Sequence, residues 1–170
     1  ECTGLTNITI PDSVTSIGDK AFGRCKSLTS ITIPDSFTSI GHYTFMDCTS
    51  LTSITIGNSV TSIGIYTFYG CTSLTSITIP DSVTSIGDYA FTDCTSLTSI
   101  TIGNGVTSIG TDAFARNRSL TAVTFLGDAP KAARTVFSRG ATPTIYRKPE
   151  AKGWGDTFSG RPVKLISEKP

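Results

Sequence analysis

The sequence predicts a solenoid of short parallel β-strands, with one main strand per turn and a cap over the C-terminal end. Three observations carry this. Cysteine recurs at Cys2, Cys25, Cys48, Cys71 and Cys94, a period of 23 residues. Leucine keeps the same period at Leu5, Leu28, Leu51, Leu74, Leu97 and Leu120. Beyond residue 125 the period fades, while apolar and aromatic residues continue. Self-similarity at this spacing marks a repeat architecture in which each unit buries its apolar side against its neighbours.

Each unit divides into elements that follow one another in a fixed order. The segment L-x-x-I-x-I ends in strict alternation, so that Ile31 and Ile33 share one face and Thr32 the other. Ile and Thr both suit strands, and stacked strands about 4.8 Å apart give an array roughly 30 Å long. Val123 and Phe125 close the two Ile rows in the sixth unit. A turn follows, written Pro-Asp-Ser at 11–13, 34–36 and 80–82 but Gly-Asn at 57–58 and 103–104. Pro pre-sets φ in one form, and Gly and Asn are expected to supply positive φ in the other. V-T-S-I-G then predicts a second, shorter extended segment, and Gly18, Gly41, Gly64, Gly87 and Gly110 a change of direction.

The unit closes with Phe22, Phe45, Phe68, Phe91 and Phe114, a phase continued by Phe137. Rings at this regularity are core, and the short stretch around each is expected to be a helical turn. The cysteines are not spaced as metal ligands, which pair two to four residues apart. In one column they run parallel instead of facing each other, so buried free thiols are expected. Asn117 replaces Cys in the sixth unit. That exchange suits a small side chain that hydrogen-bonds a neighbouring backbone group.

Charge adds little. The net charge of +1 combines residues 1–125, with five Lys/Arg and nine Asp/Glu, and residues 126–170, with nine and four. The basic residues of the tail are scattered, as on a solvated surface. No nucleic-acid partner and no membrane insertion are expected. The chain starts within the repeat phase at Glu1-Cys2, which suggests the downstream part of a longer protein.

The unit C-x-S-L-T-S-I-T-I-P-D-S-V-T-S-I-G-D-x-A-F closely resembles the BspA-like, or Treponema pallidum type, leucine-rich repeat over residues 2–125. The resemblance implies a right-handed, gently curved leucine-rich-repeat solenoid. It also implies an extracellular or cell-surface setting and a role as adhesin or protein-interaction module. The organisation expected is a repeat array at 1–125 and a degenerate last repeat with C-terminal cap at 126–170. Residues 126–170 resemble the cap that follows such repeats, although Ile145-Tyr146-Arg147-Lys148 is more charged than its relatives there. Trp154, Phe158, Val163 and Leu165 are the expected lid on the open apolar end, with Gly153, Gly155 and Gly160 turning the chain. At the other end Leu5, Ile8 and Ile10 form an uncapped edge, an expected site of self-association.

Chemistry is sparse. The single histidine, His42, stands where other units have Asp19, Ile65, Asp88 and Thr111, so nothing selects it as a base. Asp12, Asp35 and Asp81 repeat one turn environment, whereas paired-carboxylate catalysis needs two different ones. No nucleotide-binding or calcium-loop motif is present. A non-enzymatic protein without a cofactor is expected. The strand face offers a ladder of Thr9, Thr32, Thr55, Thr78, Thr101 and Thr124, which would suit ice only as a remote alternative to plain solvent-facing strand residues. Units differ most after the Gly. There Tyr43, Tyr66 and Tyr89 fall in one column, widened by His42, Met46, Ile65 and Tyr69. Tyr is favoured at binding hot spots, so these seven are the candidate ligand-binding residues, against the alternative that they half-pack on neighbouring turns. The partner expected is a protein or host extracellular-matrix ligand, with a glycan, or a spacer role, as the alternative.

Overall fold

The computed structural model describes residues 2–169. Among the described residues fourteen strands follow in order: β1 (Asn7–Ile8), β2 (Ser30–Ile33), β3 (Ser39–Ile40), β4 (Ser53–Ile56), β5 (Ser62–Ile63), β6 (Ser76–Ile79), β7 (Ser85–Ile86), β8 (Ser99–Ile102), β9 (Ser108–Ile109), β10 (Ala122–Phe125), β11 (Lys131–Ala132), β12 (Thr144–Arg147), β13 (Thr157–Phe158) and β14 (Arg161–Leu165). They form a parallel solenoid of about six turns with almost no helix, closed at the C-terminal end by the antiparallel pair β13–β14. The S-I-T-I strands stack in register, Ile31 on Ile54 and Ile77 on Ile100. The S-I-G segments form a second parallel sheet, β3-β5-β7-β9-β11. The first are the strands the alternation predicts, and the second are the short extended segments expected of V-T-S-I-G.

The Phe segment departs from expectation. It is not a helical turn but two successive tight turns. Tyr43 and Asp47 sit at φ +57° and +56°, and the next units repeat this at Tyr66, Gly70, Tyr89 and Asp93. Alternate residues donate to the following coil, Tyr43 N to Ile65 O at 2.9 Å and Phe45 N to Thr67 O at 2.8 Å. The backbone here satisfies itself between coils, where a helix would satisfy itself within one. Its product is the Phe column. Phe22, Phe45, Phe68, Phe91, Phe114 and Phe137 stack with centroids 5.0–5.8 Å apart. Burying each ring contributes roughly 2–3 kcal/mol.

The glycines of the turns also act differently from expectation. Gly57 and Gly103 are not at positive φ. They lie against the Pro-Asp turn of the preceding coil, where a Cβ on Gly57 would meet Pro34 O at 2.6 Å and Asp35 N at 2.8 Å. Asp35 and Asp81 accept the backbone N–H of Asn58 and Asn104 at 2.5 and 2.8 Å. The two turn types are complementary halves of a stacked pair.

Proline leaves a mark on the main sheet. Gly103 N and Leu126 N donate to Ile79 O and Ile102 O of the coil before, both at 2.9 Å. Pro34 and Pro80 have no such hydrogen. Opposite Pro34 the pairing stops at Ile8, and β4 and β6 are not paired at all, so the sheet divides into β1-β2-β4 and β6 onward. A cleft of about 440 Å³ lies between them, lined by Thr55, Asn58, Thr78 and Pro80. The Thr column expected to be continuous is broken there, and with it the basis for an ice-matching array.

At the C-terminal end Phe125 meets Trp154 and Phe158 at centroid distances of 4.9 and 5.4 Å, and Trp154 Nε1 donates to Gly127 O at 3.2 Å. Val163 packs beside them, while Leu165 is half-buried in β14 and outside this cluster. Gly153 and Gly160, at φ +78° and +75°, turn the chain as expected; Gly155 is not at positive φ. Ile145 and Tyr146 are buried in β12 despite the charged neighbours. Lys169 lies 5.7 Å over the Tyr146 ring and donates to Thr124 Oγ1 at 3.2 Å. At the other end Leu5, Ile8 and Ile10 are half-buried against the core instead of fully exposed.

Candidate functional site

The cysteine column is structural. Cys48, Cys71 and Cys94 donate their thiols to the carbonyls of Phe22, Phe45 and Phe68 at 3.0–3.2 Å. Asn117 Nδ2 does the same for Phe91 O at 2.9 Å. Burial pushes the Cys48 and Cys94 thiols up to about 12, and Cys71 and Cys25 are raised by the same cause. Thiols so held are poor nucleophiles and poor metal ligands.

The tyrosines form a ladder. Tyr43 stacks on Tyr66 at 5.2 Å and Tyr66 on Tyr89 at 4.7 Å, with planes within 6° and 9° of parallel. Tyr69 meets Tyr66 edge-on at 5.4 Å. All four are half-buried. Ring faces within the ladder are taken up by neighbouring rings, so it offers edges and hydroxyls outward. Burial, then Tyr89 and Tyr43, then Asp88 and Asp112, hold the Tyr66 hydroxyl above its usual range. Burial and the Asp93 carboxylate do so for Tyr69. Both phenols therefore remain protonated donors at neutral pH.

Each ladder tyrosine occupies the left-handed region, at φ +57°, +56° and +57°. A bulky side chain there is strained by roughly 1 kcal/mol or more, where Gly, Asn or Asp would not be. The same position holds Lys20 and Asp112 in flanking coils. Three consecutive tyrosines at a place that favours small polar residues is the least expected feature of the repeat.

The remaining candidates separate. Met46 and Ile65 are half-buried beside the ladder. His42 is exposed and belongs to a different device: its N–H donates to Asp19 Oδ1, and its Nδ1 accepts from Ile65 N, both at 2.8 Å. Asp88 Oδ1 repeats this for Thr111 N at 2.6 Å. His42 stands in as an acceptor that ties two coils, a role written in its sharing a column with Asp19 and Asp88. Arg24–Asp47 at 3.8 Å and Arg116–Asp93 at 3.2 Å bridge coils at the two ends of the ladder. No helix among the described residues is long and apolar enough to cross a membrane.

A family model described as the BspA type leucine rich repeat region matches residues 1–121 in six copies. No curated protein matches the chain. Among solved structures, the T. pallidum leucine-rich repeat protein is 27% identical with a TM-score of 0.69, over 84% of this chain and 72% of that one. A leucine-rich cell surface protein from Faecalibacterium prausnitzii is 35% identical with a TM-score of 0.62, over 86% of this chain and 39% of that one. The pneumococcal vaccine antigen PcpA, 22% identical with a TM-score of 0.69 over 85% of this chain and 36% of its own, shares the fold. The chain thus spans well under half the length of the latter two.

Proposed function

The chain belongs to the BspA-type leucine-rich repeat family, and on that premise we propose that it is a non-catalytic protein-binding module of a longer secreted or cell-surface protein, engaging its partner through the tyrosine ladder. Repeats of this family generally mediate protein interactions. The observation that carries the reading is the placement of Tyr43, Tyr66 and Tyr89 at positive φ in three adjacent coils. Strained side chains held by surrounding structure concentrate at functional sites. A cell-surface setting is supported by the description of the F. prausnitzii relative. Adhesion to host matrix protein is the specific form favoured here.

Geometry favours protein over glycan at this site. Sugars stack on open ring faces, whereas Tyr66 is sandwiched between Tyr43 and Tyr89. Phenol edges and hydroxyls at this spacing suit backbone carbonyls and side chains instead.

The test replaces Tyr43, Tyr66 and Tyr89 together by Asn, which tolerates positive φ. The variant should remain folded by circular dichroism and lose capture of matrix proteins that the parent retains, with a glycan array blank for both. Undiminished matrix capture by the folded variant would refute the ladder, and a glycan signal lost on substitution would assign it to carbohydrate.

A further inference from the structure

The ladder ends in a notch. Coil by coil, the position of Met46, Tyr69, Thr92 and Ala115 is held in the first coil by Gly23, and the ladder position by Lys20. Without a side chain at Gly23, a cavity of about 480 Å³ opens, lined by Lys20, Gly23, Arg24, Tyr43 and Met46. Its apolar surface comes from the Tyr43 ring and the Met46 thioether, both half-buried. Its rim is cationic. Lys20 Nζ stands 5.3 Å over the Tyr43 ring, and none of the ion pairs among the described residues involves it. Arg24, 57% exposed, is backed by Asp47 at 3.8 Å. Tyr43's outer face is thus covered by an ammonium rather than by a fourth ring.

An apolar floor beside cations selects a ligand with a matching pair of features. We infer that this notch binds an acidic peptide segment, taking one bulky apolar side chain onto Tyr43 and Met46 and an adjacent carboxylate onto Lys20 and Arg24. The floor supplies dispersion and desolvation, and a flexible thioether adapts to the incoming side chain. The cations supply charge complementarity and orientation. This deepens the protein-binding reading by naming the partner's chemistry at one end of the ladder, and it rests on that reading.

The repeat itself supplies test variants that suit the backbone. Gly23→Met places in the first coil what Met46 is in the second; Gly23 is not at positive φ, and a Cβ there comes to 3.2 Å from Lys20 O, so the folded state of this variant is checked by circular dichroism before binding is read. Lys20→Asp places there what Asp112 is in the fifth, at a φ that Asp tolerates. The probe is a fluorescein-labelled octapeptide with a central Phe-Glu pair, read by fluorescence polarisation against the whole chain. Saturable binding is expected, weakened at least about tenfold by Gly23→Met and by exchanging the peptide's Phe for Ser. Lys20→Asp, Glu→Gln in the peptide, and added salt should each weaken it about threefold or more. Absence of saturable binding up to about 1 mM peptide, or equal binding by folded Gly23→Met, overturns the inference. Failure here alongside ladder-dependent matrix capture would refute the notch alone. Matrix capture untouched by the ladder variant would refute the broader reading.

Discussion

Asn117 Nδ2 donates to the carbonyl of Phe114, its own coil's Phe, at 3.2 Å, in addition to Phe91 O in the coil before. No described cysteine thiol does this for its own Phe, although Cys25, Cys48 and Cys71 reach that carbonyl with the backbone N–H at 3.1–3.2 Å. The next coil explains it. The position that would cap Phe114 O is Gly140, which has no side chain. The amide serves two carbonyls because the column ends there.

Asn117→Cys should therefore be destabilising although it restores the repeat. A thiol would keep the Phe91 bond and orphan the Phe114 carbonyl, costing about 1–2 kcal/mol. Urea denaturation reads this as a lowered midpoint at unchanged slope. A midpoint equal to the parent's would mean that the second bond contributes nothing.

Thiol reactivity should be all-or-none along the column. Cys2 is exposed, and Cys25, Cys48, Cys71 and Cys94 are buried. Iodoacetamide at pH 8 should add one group to the native protein and five in urea, counted by mass spectrometry. Fast modification of Cys71 or Cys94 would show that the coils open readily.

The same thiols predict alkaline sensitivity. Burial raises Cys48 and Cys94 to about 12 from the free thiol's 9.0, and raises Cys71 as well. Below pH 9 the thiols are neutral in both states and stability is unaffected. Between pH 9 and about 12 the unfolded chain releases protons that the folded one retains, so stability falls. Each such group contributes about 1.4 kcal/mol per pH unit. Cys94→Ala should flatten the slope of denaturation midpoint against pH in this window, and an unchanged slope would reject the assignment.

Two glycines separate close packing from mere flexibility. A Cβ on Gly57 would strike the backbone of Pro34 and Asp35, whereas one on Gly18 would meet nothing within 4 Å. Gly57→Ala should cost about 1–3 kcal/mol, and Gly18→Ala should stay within about 0.5 kcal/mol of the parent. Equal melting temperatures for the two variants would contradict this.

The columns were legible in sequence because burial repeats with the period. Leu28, Ile31, Ile33 and Phe45 each recur and each is buried. The parallel strands and the hydrogen-bonded cysteines followed from the same pattern. The turn conformation around Phe45 was not legible. Its positive φ falls on Tyr43 and Asp47, and Tyr does not advertise that region. The interruption between β4 and β6 was equally hidden: Pro80 removes one N–H there, but Pro34 removes the same one and leaves β1 and β2 paired. His42 could have been placed correctly. Its column holds the acceptors Asp19 and Asp88 on either side of it, and reading side chains down the stack as well as along the chain exposes that.

The pairing of Gly-Asn turns on Pro-Asp turns bears on how such an array can lengthen. Gly57 fits against Pro34 and Gly103 against Pro80, each Asn under the carboxylate of its neighbour. Duplicating one coil sets two turns of the same kind together and loses either a carboxylate cap or a sheet hydrogen bond. Duplicating a Pro-Asp and Gly-Asn couplet preserves these turn contacts. From Pro34 onward the array alternates by couplet, while Pro11-Asp12 on Pro34-Asp35 is a same-kind stack at its start, so single-coil additions are tolerated at that end at the cost of a bond and couplets are the increment further along.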